Sequence, residues 1–128
     1  MKILLDTHTL LWAFQEQDKL SSKAKEVFLN PDNSLFFSMA SYWELCIKQS
    51  LGKLELAKNW RDMIERELSE NSIAWLAIEK AHCEGLLKLP FHHRDPFGRL
   101  LIVQAQVEDM TILTGDETMR AYKVKVIW

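Results

Sequence analysis

Three acids, Asp6, Glu44 and Asp116, lie far apart in the chain, yet each follows a short apolar run. Leu4-Leu5 precedes Asp6, Phe36-Phe37-Ser38 precedes the segment carrying Glu44, and Ile112-Leu113-Thr114 precedes Gly115-Asp116. Short apolar runs of this kind suit buried parallel strands, and chemistry in parallel sheets gathers at their carboxyl ends. Carboxylates brought together repel one another unless cations bind them. Hard oxygen ligands favour Mg²⁺ or Mn²⁺, ions that activate water and offset the charge developing on a phosphate. Asp95, just before Pro96, is a fourth and weaker candidate.

Each acid also has a purely structural use. Asp6 can cap a helix that begins near Thr9, and Asp116 can be the turn residue after Gly115. Glu44 closes a capping-box pattern with Ser41 (Ser41-Tyr42-Trp43-Glu44). Asp95 is a natural N-cap for a helix with Pro96 at its first position. The case for chemistry therefore rests on their shared location. His8, His82, His92 and His93 do not form a zinc-binding spacing. His92-His93-Arg94 reads as a solvated loop or as a phosphate contact, and Lys48 and Lys53 are further basic residues able to face a phosphate-bearing ligand.

The elements that must position these residues alternate between strand and helix. Strands are predicted over Lys2–Leu5, Leu35–Ser38, Ile73–Leu76, Thr111–Thr114 and Val124–Trp128. Helices are predicted over Thr9–Phe14, Lys23–Leu29 with a Ser21-Ser22 cap, Ser41–Ser50 stopped by Gly52, and Trp60–Leu68. Further helices follow over Glu79–Leu87, from Asp95-Pro96 to about Glu108, and over Glu117–Tyr122. This order predicts one α/β domain over residues 1–128, a three-layer α/β/α arrangement around a mainly parallel sheet. Most of the five tryptophans are expected in the core. The Trp60–Leu68 helix and the early helices offer an apolar face to a second subunit or another protein, though ordinary internal packing accounts for the same pattern.

Composition narrows the class. At 48% hydrophobic, 128 residues can bury a core without staples. No apolar run approaches the length of a membrane span, and the start Lys2-Ile3-Leu4-Leu5-Asp6 is charged too soon for a signal peptide. Cys46 and Cys83 stand alone, as reduced thiols do in a cytoplasmic protein. A net charge of −2 argues against a broad, sequence-independent grip on nucleic acid, but not against a local basic patch or a metal-offset acidic site.

Taken together, Leu4-Leu5-Asp6-Thr7-His8, Ser41-Tyr42-Trp43-Glu44, His93-Arg94-Asp95-Pro96-Phe97 and Leu113-Thr114-Gly115-Asp116 resemble the PIN-domain family. They are most similar to its VapC-like toxins, in order and over nearly the whole chain. The resemblance implies a Mg²⁺- or Mn²⁺-dependent endoribonuclease with Asp6, Glu44 and Asp116 as metal-binding, catalytic acids. It further implies a cytoplasmic toxin, usually a homodimer, that cuts RNA such as transfer RNA and is held inactive by an antitoxin protein.

One position departs from the pattern. The family's Asp-Pro-Phe-Asp-Arg reads Asp95-Pro96-Phe97-Gly98-Arg99 here, so an expected active-site aspartate is a glycine. Glycine in a first helical turn is unfavourable by about 0.5–1 kcal/mol against alanine, and an acid there would complement the helix dipole. Gly98 is therefore expected to weaken metal binding and cleavage. The alternative is a catalytically dead PIN domain kept for binding antitoxin or RNA. A haloacid-dehalogenase-type phosphatase needs an acid where His8 stands, and a receiver-like domain needs paired acids after the first strand; neither pattern is present.

Overall fold

The computed structural model describes residues 1–128. Five strands form one sheet: β1 (Lys2–Leu5), β2 (Ser34–Ser38), β3 (Ala74–Leu76), β4 (Thr111–Leu113) and β5 (Val126–Ile127). Their order is β3-β2-β1-β4-β5, and all four pairings are parallel. The chain leaves β1 for β2 on one side and reaches β4 on the other. That places a topological switch point beside β1, where the crevice at the strand ends opens. Leu5 is in register with Phe37 on one side and Leu113 on the other.

The strands alternate their side chains between two apolar layers, as the period of two requires. Ile3, Leu5, Phe37 and Leu113 join the core beneath helices α1 (Thr7–Gln15), α2 (Ser22–Leu29), α3 (Met39–Ser50) and α4 (Trp60–Glu70). Leu4 and Ile112 face the opposite layer, formed chiefly by α6 (Pro96–Glu108), with α5 (Lys80–Gly85) beside it. The three-layer α/β/α arrangement predicted from the sequence is the one observed. Fully buried aliphatic side chains such as Ile3, Leu5 and Ile102 each contribute about 1.5–3 kcal/mol. No helix is long and apolar enough to cross a membrane.

Two expectations need correction. The helix carrying Glu44 does not start with a capping box at Ser41. Its N-cap is Ser38, the last residue of β2, whose Oγ accepts the Ala40 N–H at 3.0 Å and donates to Gln104 Oε1 at 2.5 Å. The long-range bond to Gln104 fixes the earlier start, leaving Ser41 inside the helix with a buried, unpartnered hydroxyl. Nor do the tryptophans fill the interior. Trp12, Trp60, Trp75 and Trp128 are half-buried against its edge, and Trp43 is 52% exposed. Indole is large and carries a polar N–H, so it settles where one end remains wet.

Candidate active site

Asp6 sits where β1 turns directly into α1. It is the N-cap of that helix, with Oδ1 accepting the Thr7 N–H at 2.7 Å. Oδ2 accepts the Thr114 hydroxyl at 2.8 Å. The Asp6 amide donates to Leu113 O at 3.2 Å, so backbone as well as side chain ties the residue to the end of β4. Burial pushes the Asp6 carboxyl above its ordinary range. The bonds from Thr114 and Thr7 and the charge of His8 pull it back, and Glu44 adds a further push upward.

The Thr114 hydroxyl also accepts the Asp116 N–H at 3.0 Å, and so bridges two of the acids. Asp116 is exposed and caps the 3-10 turn Glu117–Ala121. Its Oδ1 accepts both the amide and the hydroxyl of Thr118, at 3.0 and 2.7 Å; Oδ2 has no protein partner among these bonds. Glu44, 6% exposed, projects from the middle of α3. Thr7 Oγ1 donates to its Oε1 at 2.7 Å, and Lys48 Nζ lies 2.6 Å from Oε2. The bond to Glu44 raises the Lys48 ammonium's pKa against the opposing pull of burial.

Asp6, Glu44, Asp95, Asp116 and Gly98 all line one cleft of about 440 Å³ at the carboxyl rim of the sheet. No three Asp, Glu, His or Cys side chains are grouped closely enough to hold an ion unaided. Glu44 is engaged with Lys48 and Thr7, and position 98 supplies no carboxylate. The donors that remain are hard oxygens on Asp6 and Asp116 with a hydroxyl between them. Such a set fits a divalent cation that keeps much of its water. A larger groove of about 800 Å³ lies at the other end of the strands, by Lys2 and Lys125, away from these acids.

Asp95 is the N-cap of α6, its carboxylate accepting the amides of Phe97 and Gly98 at 3.2 and 3.1 Å. Beside it stands His93, held by Tyr122. The Tyr122 hydroxyl receives the amides of His92 and His93 and Arg99 Nη1, each at 3.2 Å. These donors claim its lone pairs, so the phenol proton goes to His93 Nδ1 at 2.8 Å and the imidazole proton sits on Nε2. That Nε2 is buried without a partner. A Cβ at position 98 would stand 3.0 Å from it, 3.0 Å from Asp95 Oδ2 and 3.4 Å from Met119 Cε. A buried N–H donor thus faces the place where a side chain at 98 would begin.

Sequence reasoning did not anticipate the roles of Thr7, Thr114 and Tyr122. Lys48 had a usable signal, because it lies four residues after Glu44 on a predicted helix.

Comparison with known proteins accords with this architecture. The PIN-domain family model matches residues 3–125. Among solved structures, the VapBC2 complex of Rickettsia felis, bound to a promoter DNA fragment, aligns with a TM-score of 0.74 at 12% identity, covering 99% of this chain and 98% of that one. VapBC-1 of nontypeable Haemophilus influenzae aligns at 0.68 with 18% identity, over 99% and 97% of the two chains. A toxin–antitoxin complex from Klebsiella pneumoniae aligns at 0.65 with 15% identity, over 98% and 96%. No curated protein sequence matches. With the family's pattern covering residues 3–125 of 128, this chain belongs to the PIN-domain family.

Proposed function

We propose that this chain is a divalent-metal-dependent endoribonuclease, the toxin of a toxin–antitoxin pair, with its activity reduced by glycine at position 98. The observation that carries the reading is the single cleft at the sheet's carboxyl rim lined by Asp6, Glu44, Asp116 and position 98. Membership of the PIN family supports nuclease chemistry. The toxin–antitoxin complexes of the same fold support an antitoxin protein as partner. RNA, including transfer RNA, is the proposed substrate class, and a cytoplasmic homodimer the proposed working form.

In this reading Asp6 and Asp116 hold Mg²⁺ or Mn²⁺, with Glu44 acting through water. When bound, the ion supplies the positive charge that acidifies a water and offsets the phosphate's charge. The chain's own residues do the rest. Thr7 and Thr114 fix the carboxylate orientations, the Thr7 N–H and the amide-capped turn hold Asp6 at the rim, and Lys48 adds a cation beside Glu44. At position 98 an aspartate would meet the His93 Nε2 donor, which would steady it, and the Asp95 carboxylate, which would repel it. Both neighbours must yield by a few tenths of an ångström to admit it.

The test compares RNA cleavage by the native chain and by Gly98→Asp, in Mg²⁺, in Mn²⁺ and in EDTA. Metal-dependent cleavage that rises about tenfold or more in Gly98→Asp is expected. Equal rates would refute the impairment. A second reading, a catalytically dead PIN domain that binds antitoxin or RNA, draws on the missing carboxylate and on the Glu44–Lys48 pair. It would be upheld if neither chain cut RNA while antitoxin binding stayed tight.

A further inference from the structure

The cleft that holds the acids also has an aromatic wall, which the nuclease chemistry leaves without a use. Trp12 and Trp128 line it together with His8. The His8 ring stacks on Trp12, with centroids 5.8 Å apart and planes at 23°. Trp128 leans on the other indole, with centroids 5.9 Å apart and planes at 59°. Lys19 Nζ stands 5.7 Å from the centroid of the Trp12 ring and also borders the cleft. Both indoles pack against the core on one side and are only half-buried, so they are held firmly while remaining open to the cleft. The His8 ring, at the end of the stack, is exposed.

The local backbone is shaped around this wall. A Cβ at position 115 would come within 2.9 Å of Trp128 Cε2 and 3.2 Å of its Cζ2 and Nε1. Only glycine lets the Trp128 indole lie against the turn that carries Asp116. The aromatic wall and the acid turn are therefore joined at Gly115.

An acidic cleft on a chain of net charge −2 faces a binding problem. Its carboxylates repel the phosphates of a nucleic acid, so affinity must come from something other than a broad basic surface. Stacking on aromatic rings supplies it, because every base presents a π-face and the gain does not depend on phosphate charge. Bases inside a duplex already have both faces covered, so only an unpaired base can use such a wall.

Resting on the nuclease reading above, we propose that His8, Trp12 and Trp128 form a stacking platform for an unpaired nucleobase of a single-stranded RNA segment, with the Lys19 ammonium serving an adjoining phosphate. The platform selects looped or single-stranded RNA over duplex and tolerates different bases, preferring purines for their larger faces.

The experiment titrates the full-length protein, in Mg²⁺, with a short 2′-O-methyl oligoribonucleotide that resists cleavage. Binding is read by tryptophan fluorescence and by anisotropy of a labelled strand. An abasic strand of equal length and a blunt duplex of the same sequence serve as comparisons, and cleavage of unmodified RNA is followed in the Gly98→Asp chain. The expected result is quenching by the base-bearing strand and binding about tenfold weaker for the abasic strand and the duplex. His8→Ala and Trp128→Ala should each lose about tenfold for the base-bearing strand and nothing for the abasic one, with Trp128→Phe recovering most of the loss. The exposed His8 ring keeps the test sound if Trp128→Ala unfolds. Unchanged affinity in His8→Ala and in a folded Trp128 variant, with RNA still cut, would overturn the platform and leave the nuclease reading standing. Absence of binding and of cleavage by every chain would overturn both.

Discussion

Two polar clusters in this molecule have opposite characters. Under α5 and α6, Ser38, Gln104, His82 and Glu108 form a chain in which donors meet acceptors. Ser38 donates to Gln104 Oε1, Gln104 Nε2 donates to Ala77 O at 3.2 Å, His82 Nδ1 accepts the Glu79 amide at 2.9 Å, and His82 Nε2 meets Glu108 Oε1 at 3.1 Å. At the rim of the sheet the matching fails. Asp6 is half-buried with Glu44 close enough to push its pKa upward, and His93 Nε2 has no partner. A satisfied network stabilises and specifies a core, whereas a buried polar atom left unpaired costs stability. Folding pairs the members of the first cluster; in the second it leaves the His93 ring nitrogen without a partner.

The sharpest way to break this contrast is Asp6→Asn. Cleavage is expected to fall by about 100-fold or more, because a neutral amide offers little to a divalent cation. Yet in EDTA the same change is expected to raise the melting temperature, because it removes a charge that burial disfavours. Lower melting temperature with retained cleavage would show that Asp6 is a structural cap alone. Gln104→Leu should do the reverse. It strips partners from Ser38 and Ala77 and is expected to cost about 2 kcal/mol in denaturant unfolding with little change in cleavage per folded molecule. A neutral result would mean that the finished network is ornamental.

The pH dependence sharpens the same point. Asp6's folded pKa is raised above 3.8, so below that value both folded and unfolded chains are protonated and its ionisation costs nothing. As pH rises from 3.8 toward the raised value, the unfolded chain releases its proton first, and the folded state loses relative stability. Above the raised value the loss is complete. In EDTA the advantage of Asp6→Asn in melting temperature should therefore widen with rising pH across that window and then level off. A gap that narrows would mean that the bonds from Thr114 and Thr7 outweigh burial.

The smallest expected effect is from Lys48→Met. The Lys48 side chain is 38% exposed and Glu44 keeps the Thr7 hydroxyl, so about 1 kcal/mol or less should be lost. Freed of its partner, Glu44 should then bind the cation better, and the Mg²⁺ needed for half-maximal cleavage should drop in Gly98→Asp/Lys48→Met. A rise instead would show that Lys48 assists the substrate rather than restraining Glu44.

Much of this was readable in the amino-acid order. The alternation of apolar strands with helices, the Asp95-Pro96 helix start and the location of Asp6 and Asp116 at strand ends follow from local pattern. Gly52, at φ +69°, stops α3 as a residue free of Cβ can. Two of the misses depend on partners distant in sequence. Ser41 and Ser38 are both plausible caps, and only Gln104, 66 residues on, decides between them. The His93 donor becomes legible only once Tyr122, 29 residues away, is known to hold the other side of the ring. The Glu44–Lys48 pair is local and was available from spacing, but a surface lysine is too common to stand out.

The central strand has only four residues and is hydrogen-bonded on both sides. A slip of β1 by one position would exchange its two faces, carrying Ile3 and Leu5 out of the layer they fill and pulling Asp6 off the rim. Misfolded copies of this protein with a shifted centre would therefore be inert as well as unstable. In a chain whose proposed trade is cutting RNA, the alignment that permits folding also guards against stray reactivity.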